Sequence, residues 1–181
     1  MDYIHRKQIV FRDLKHDNIG FDSDNILKIF DFGLAKELRE SEKAENGLYH
    51  MTGLTGALRY MAPENGLRKP YNQKVDVYSW SMLMWYIMAL EPPLAVYTPK
   101  MFVERVFERG YRPAIREKWP EELKTLIRQS WDDSPFERPS FDDIKRALRA
   151  FSQTIDPELA SMMVVEKSNH SSVGNLSFNK P

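Results

Sequence analysis

Cysteine is missing altogether from the 181 residues, which removes disulfides, thiolate catalysis and cysteine-ligated zinc from consideration. An excess of either charge is missing too, since 26 Lys and Arg balance 26 Asp and Glu. No global field draws such a chain toward nucleic acid or an acidic membrane surface, and neither is expected as a partner. Long hydrophobic runs are scarce. The opening "MDYIHRKQIV" has no apolar core of the kind a signal peptide needs. The most apolar stretch, "WSMLMWYIMAL" from Trp80 to Leu90, is about half the length required to cross a bilayer. It is apolar on every face and so reads as a buried central helix. A cytoplasmic location is the default expectation.

What is present fits one ordinary globular domain, with 42% apolar and 29% charged residues. The runs "QIVFRDL" and "NIGFD" lean toward β structure, and "ILKIFDFG" follows after the turn "DSDN". Short strands flanking a polar loop suggest a small ribbon presenting a site. From Lys36 to Gly53 the chain is charged without an apolar period, as in a solvated loop or a short charged helix. Helical patterning starts near Gln73 and halts at Pro92-Pro93. "PKMFVERVFERG" predicts a second helix closed by Gly110, and "PEELKTLIRQSW" a third opened by Pro120 and two acids. "SFDDIKRALRAF" offers Ser140 as N-cap with Asp143 three residues on. Beyond Gln153 the chain turns Ser- and Asn-rich. Residues 154–181 are expected to be a disordered tail, with one helical turn at most in "PELASMMVV".

The chemistry concentrates in "VFRDLKHDN", Val10 to Asn18, which sets Asp13, Lys15 and Asn18 in one short polar run. "DFG" follows at Asp31 to Gly33 and "APE" at Ala62 to Glu64, then "DVYSW" at Asp76 to Trp80 and "WDDSPFERPSF" from Trp131 to Phe141. Any one of these is cheap, and Asp13 or Asn18 alone could be turn residues bonding to nearby backbone. Five in this order resemble the eukaryotic protein kinase family, from its catalytic loop through its magnesium loop to the end of its activation segment. The resemblance covers about Tyr3 to Phe151. It implies an α+β, mainly helical C-lobe over residues 1–153, a small β-ribbon plus a helical body.

That resemblance implies roles residue by residue. Asp13 would accept the proton of an incoming hydroxyl, and Lys15 would touch the transferring phosphate of ATP. Asn18 and Asp31 would hold Mg2+, completing a shell otherwise made of phosphate and water oxygens. Lys15 goes with serine/threonine rather than tyrosine acceptors. "YMAPE", "DVYSW" and "ERPSF" look most like the tyrosine-kinase-like branch of the serine/threonine kinases. Arg12 resembles the arginine that pairs with a phosphorylated activation segment, with Thr52 and Thr55 as acceptors ahead of Ser41 and Tyr49. Pairing of Arg12 with one of the many loop acids is the other reading, and both stay open. Glu64 and Arg138 would form a buried ion pair, Asp76 would accept backbone N–H groups of the catalytic loop, and Phe11 would pack on Phe32.

Four positions depart from the family pattern. Phe11 stands where His is usual, His16 where Pro is usual, and Gly20 where a larger apolar residue packs beneath adenine. Ala57 replaces a Thr or Ser that usually braces the catalytic Asp and Lys, although Thr55 lies nearby. More is missing upstream. The residues before Val10 supply neither a glycine-rich loop nor a strand lysine, and the eight glycines are scattered. The N-lobe is therefore expected to be absent, through a truncated gene model or an alternative start. The exposed lobe face would call for that lobe or for a partner to cover it. The leading expectation is a serine/threonine kinase fragment, inactive alone, acting on protein substrates. Its rival is an inactive orphan C-lobe used as a docking or regulatory module. A small-molecule phosphotransferase fits poorly, because "APE" and the loop before it form a peptide platform.

Overall fold

A computed structural model describes residues 1–155, with Glu45 described by its backbone alone. The chain divides into residues 1–144 and a second unit from residue 145 onward, and the former carries every feature of the site. The architecture is α+β and mainly helical, with two small antiparallel ribbons.

The N-terminal helix α1 (Asp2–Arg6) leads into β1 (Ile9–Val10). Strands β2 (Ile19–Phe21) and β3 (Leu27–Ile29) follow, then β4 (Lys36–Glu37). The sequence suggests one ribbon flanking the polar loop; the structure forms two. β1 pairs with β4, placing Ile9 opposite Glu37, and β2 pairs with β3, placing Ile19 opposite Ile29. The β2–β3 turn closes on Asp22, whose Oδ1 accepts from the N–H groups of Asp24 and Ile26. That is why "DSDN" turns the chain. The charged stretch after β4 is a loop with a 3-10 turn at Glu40–Glu42, pinned where Tyr49 bridges to Lys43 and to Tyr71.

Helix α2 (Pro63–Gly66) is one turn, begun by a proline whose missing N–H costs nothing there. The central helix α3 (Lys74–Ala89) is buried around its circumference, with Val77, Tyr78, Ser81 and Met82 all fully enclosed. It ends at Leu90 in a left-handed conformation, two residues before Pro92. The stretch expected as a second helix is different in kind. Thr98 caps a single α-turn, α4 (Pro99–Met101), and the chain then widens into a π-helical turn, Phe102–Phe107. The wider turn places Phe102, Val106 and Phe107 together against Met61. The ring of Phe107 also meets Gly66 of α2, where any Cβ would lie within 2.3 Å of it.

Helix α5 (Glu121–Ser130) packs Leu123, Leu126 and Ile127 inward and places two acids in its first turn, as its sequence predicts. Trp119, just before it, meets Trp85 of α3 edge-on at 6.1 Å, and the Trp85 indole N–H donates to the Ala114 carbonyl. Helix α6 (Phe141–Ile155) opens on the predicted box. The Ser140 N–H donates to Asp143 Oδ2 at 2.9 Å, and the Asp143 N–H donates back to Ser140 Oγ at 3.1 Å. The helix continues through Thr154 and Ile155, where the tail was expected to begin. The remaining tail and the turn in "PELASMMVV" lie outside the described residues. Among the described residues no helix is long and apolar enough to cross a membrane.

Candidate active site

The polar loop between β1 and β2 is held from beneath by α3. Asp76, in the first turn of that helix, is fully enclosed. Its Oδ2 accepts from the Phe11 N–H at 2.8 Å and its Oδ1 from the Arg12 N–H at 2.7 Å. A buried carboxylate with two backbone donors fixes the loop more firmly than loop–loop contacts could. His5 of α1 adds a third contact, its Nε2 lying 2.9 Å from Asp76 Oδ2 while its ring meets Phe141 edge-on. Gln73 donates to the carbonyls of His5 and Ile9, tying α1 and β1 to the same helix.

Asp13 sits at the centre of the loop and is 7% exposed. Its Oδ1 accepts from the Ala57 N–H at 3.0 Å. Its Oδ2 accepts from Asn18 Nδ2 at 2.8 Å and pairs with Lys15 Nζ at 2.9 Å. Asn18 Nδ2 also donates to the Asp13 carbonyl, so the amide nitrogen is spent on Asp13 and the amide oxygen is turned the other way. The β2–β3 ribbon then brings Asp31 back toward the loop, because the Phe30 N–H donates to the Asn18 carbonyl at 2.8 Å. Asp31 has a positive φ of 57° and accepts from the Gly33 N–H at 3.1 Å, which aims its carboxylate. Arg12 is likewise left-handed, with φ 68°. Left-handed backbone at two non-glycine residues costs free energy that the surrounding contacts have to offset.

Asn18 and Asp31 offer one neutral and one anionic oxygen. Both are hard donors of the type that Mg2+ takes alongside phosphate and water oxygens, so the pair fits that ion. Among the described residues no group of three or more His, Asp or Glu could hold a metal.

The neighbouring residues depart in places from expectation. Arg12 makes no ion pair with a loop acid among the described residues. Its Nε donates to the Leu34 carbonyl at 2.7 Å and its Nη1 to the Tyr71 hydroxyl at 3.3 Å. The loop acids have nearer cations, since Lys36 holds Glu42 and Lys43 holds Glu40. The Tyr71 hydroxyl donates on to the Thr52 carbonyl at 2.8 Å, and burial raises its pKa against the opposing pull of Arg12. Thr55 turns its hydroxyl onto the Thr52 carbonyl rather than toward Asp13. Phe11 is fully enclosed and meets Phe32 edge-on at 5.1 Å. The Phe30 ring lies 3.0 Å from where a Cβ on Gly20 would stand, so an aromatic just past the opposite strand fills that space. His16 stacks on Tyr86 at 4.8 Å and meets the Tyr60 hydroxyl at 2.8 Å through Nδ1, replacing a rigid ring by a hydrogen-bonded one.

Glu64 and Arg138 form a two-pronged buried pair, 2.6 and 2.9 Å long, with Arg138 1% exposed. Arg138 also donates to the carbonyls of Asp132 and Lys74 and stacks over the Tyr78 ring. The roles of His5, Asn65, Tyr71 and Gln73 were not visible in the sequence. Gln73 and His5 bond to partners up to 71 residues away, beyond any local pattern.

The chain is 33% identical over 158 residues to the serine/threonine-protein kinase STY46 of Arabidopsis thaliana, a match covering 87% of this chain and 26% of that protein. It is 38% identical over 160 residues to the serine/threonine-protein kinase VIK of the same plant, covering 86% and 36%. The dual specificity protein kinase shkB of Dictyostelium discoideum is 35% identical over 148 residues, covering 81% and 22%. The chain thus spans roughly a quarter to a third of the length of the relatives it matches. The family model described as protein tyrosine and serine/threonine kinase matches residues 1–148, and the chain belongs to that family.

Proposed function

We propose that this chain is the catalytic-loop lobe of an ATP-dependent protein serine/threonine kinase. The observation that carries the reading is Asp13, a nearly buried carboxylate with both oxygens engaged and the Lys15 ammonium on one of them. Ala57 and Asn18 fix the carboxylate plane. Lys15 is the exchangeable partner, since its side chain is 23% exposed and flexible. When Lys15 turns to the transferring phosphate, Oδ2, still held by Asn18, regains a lone pair to accept the hydrogen of a substrate hydroxyl and then its proton. Asn18 and Asp31 would hold Mg2+, which when bound supplies charge neutralisation at the phosphates.

Lys15 favours Ser and Thr acceptors, and two of the relatives quoted above are named serine/threonine kinases. The dual-specificity name of the third makes tyrosine the alternative outcome. Thr52 is the regulatory acceptor we favour over Thr55. It is exposed and one tyrosine hydroxyl away from Arg12, whereas the Thr55 hydroxyl is engaged. A cytoplasmic setting, where ATP is available, goes with this reading.

A second reading, a docking module without catalysis, is favoured by one feature. Phe21, Leu27, Phe30 and Phe32 around the β2–β3 ribbon are 47 to 70% exposed. An apolar face of that kind is normally covered. In the kinase reading, residues outside these 181 supply that cover and the other half of the nucleotide site. The 181-residue chain should then show no thermal shift with Mg-ATP. A shift that vanishes in Asp31→Ala overturns that expectation. In protein that includes the covering lobe, phosphate transfer to Ser or Thr should appear and Asp13→Ala should abolish it. Undiminished transfer by that variant refutes the role of Asp13, and no transfer at all favours the docking module.

A further inference from the structure

Asn65 directly follows Glu64 in α2 and is 3% exposed. Its side chain does what a neighbouring strand would do. Oδ1 accepts from the Thr55 N–H at 3.2 Å, and Nδ2 donates to the Thr55 carbonyl at 2.8 Å. The Asn65 carbonyl accepts in addition from the Leu54 N–H at 3.0 Å. One buried residue therefore holds two consecutive residues of an otherwise irregular segment at three points.

The chain leaves this clasp through Gly56, with φ +99°, where a Cβ would stand 2.1 Å from the Arg12 carbonyl oxygen. It then reaches Ala57, whose N–H is the donor on Asp13 Oδ1. Alanine has no hydroxyl that could find Asp13 by rotating a side chain. Whatever places this donor has to act through the backbone, and the backbone is fixed at Thr55. Asn65, Thr55, Ala57 and Asp13 also line one small space of about 10 Å³, room for a single water.

We propose that Asn65 is a positioning residue for Asp13: by clasping Thr55 it sets the Ala57 N–H against the Asp13 carboxylate. The placement stands on the geometry alone, while its catalytic consequence rests on the reading of Asp13 as the base.

The test is amide hydrogen exchange by NMR on the full 181-residue chain, with Asn65→Leu, similar in size but without hydrogen bonds. Losing the clasp should speed exchange at Thr55 and Ala57 roughly ten- to a hundredfold, with amides in the middle of α3 unmoved. The Asp13 carboxyl carbon resonance should shift as well. Adding Ala57→Ser, which restores a hydroxyl beside Asp13, should return that resonance toward its original position while Thr55 stays fast. Unchanged exchange at Ala57 overturns the proposal, and so does equal acceleration throughout, which would mark Asn65 as merely structural. Should Asn65→Leu fail to fold, the unsubstituted chain decides. The Asn65 side-chain amide protons and the Ala57 N–H must then open at one common rate, and separate rates overturn the clasp. In protein that transfers phosphate, Asn65→Leu should lower kcat at an unchanged KM for ATP. Faster exchange with an unchanged kcat would refute the assignment of Asp13 as base and leave the clasp standing.

Discussion

Two ion pairs in this protein share one contact distance and differ in everything else. Arg138–Glu64 and Arg116–Glu91 are both 2.6 Å. The Arg138 and Glu64 side chains are 0 and 10% exposed, against 41 and 56% for Arg116 and Glu91. Replacing Glu64 by Gln keeps the shape and leaves a guanidinium charge buried without its counter-charge. Such a loss costs about 3–5 kcal/mol, which would be a third or more of the stability of many small domains. Glu91→Gln removes a screened, solvated attraction and should cost no more than about 1 kcal/mol. The assay is urea unfolding of both variants, comparing midpoints at constant slope. Pairing Glu64→Gln with Arg138→Met should recover part of the loss, because no stranded charge remains. Equal costs for the two glutamine variants, or a Glu64→Gln cost below about 1 kcal/mol, would refute the reasoning, since burial would then not set the magnitude.

Gly56→Ala should loosen the polar loop around Asp13 at a cost of about 1–3 kcal/mol, because the added Cβ meets the Arg12 carbonyl and sits at positive φ; exchange at Arg12 and Asp13 measures it, and unchanged protection there counts against the close approach. Alkaline titration should destabilise the fold. Burial raises the pKa of Tyr60 to about 12 and also raises those of Tyr71 and Tyr78. A raised folded-state pKa means the folded state holds its proton while the unfolded chain loses it, so stability falls as pH climbs from about 10 through 12. Tyrosinate absorbance followed alongside circular dichroism should show ionisation of these rings coinciding with unfolding; full ionisation in a still folded protein would disprove it.

Much of the body could be read from the sequence because its signals are local. Apolar residues on all sides of Trp80–Leu90 and the Ser140–Asp143 box each specify a helix within a few residues of chain. The order of Asp13, Lys15, Asn18 and Asp31 marked the candidate site for the same reason. Strand pairing was less legible, since strands of two or three residues carry no register of their own and β1 finds its partner 27 residues on. The π-helical turn at Phe102–Phe107 was hidden because its spacing of apolar residues also suits an ordinary helix. Asn65 and His5 act through partners that only the folded chain brings near, and in the sequence they are an ordinary amide and an ordinary surface-looking histidine.

All four tryptophans lie in or beyond α3, at positions 80, 85, 119 and 131, and Trp85 and Trp119 touch edge to edge. The polar loop from Val10 to Asn18, both ribbons and the Thr52–Ala57 segment contain none. Indole emission is consequently a built-in gauge of the helical body alone. A denaturation curve recorded by fluorescence and one recorded from loop amides watch separate parts of the same molecule. The gap between them measures how far the loop from Val10 to Asn18 can open while the body that carries it stays folded.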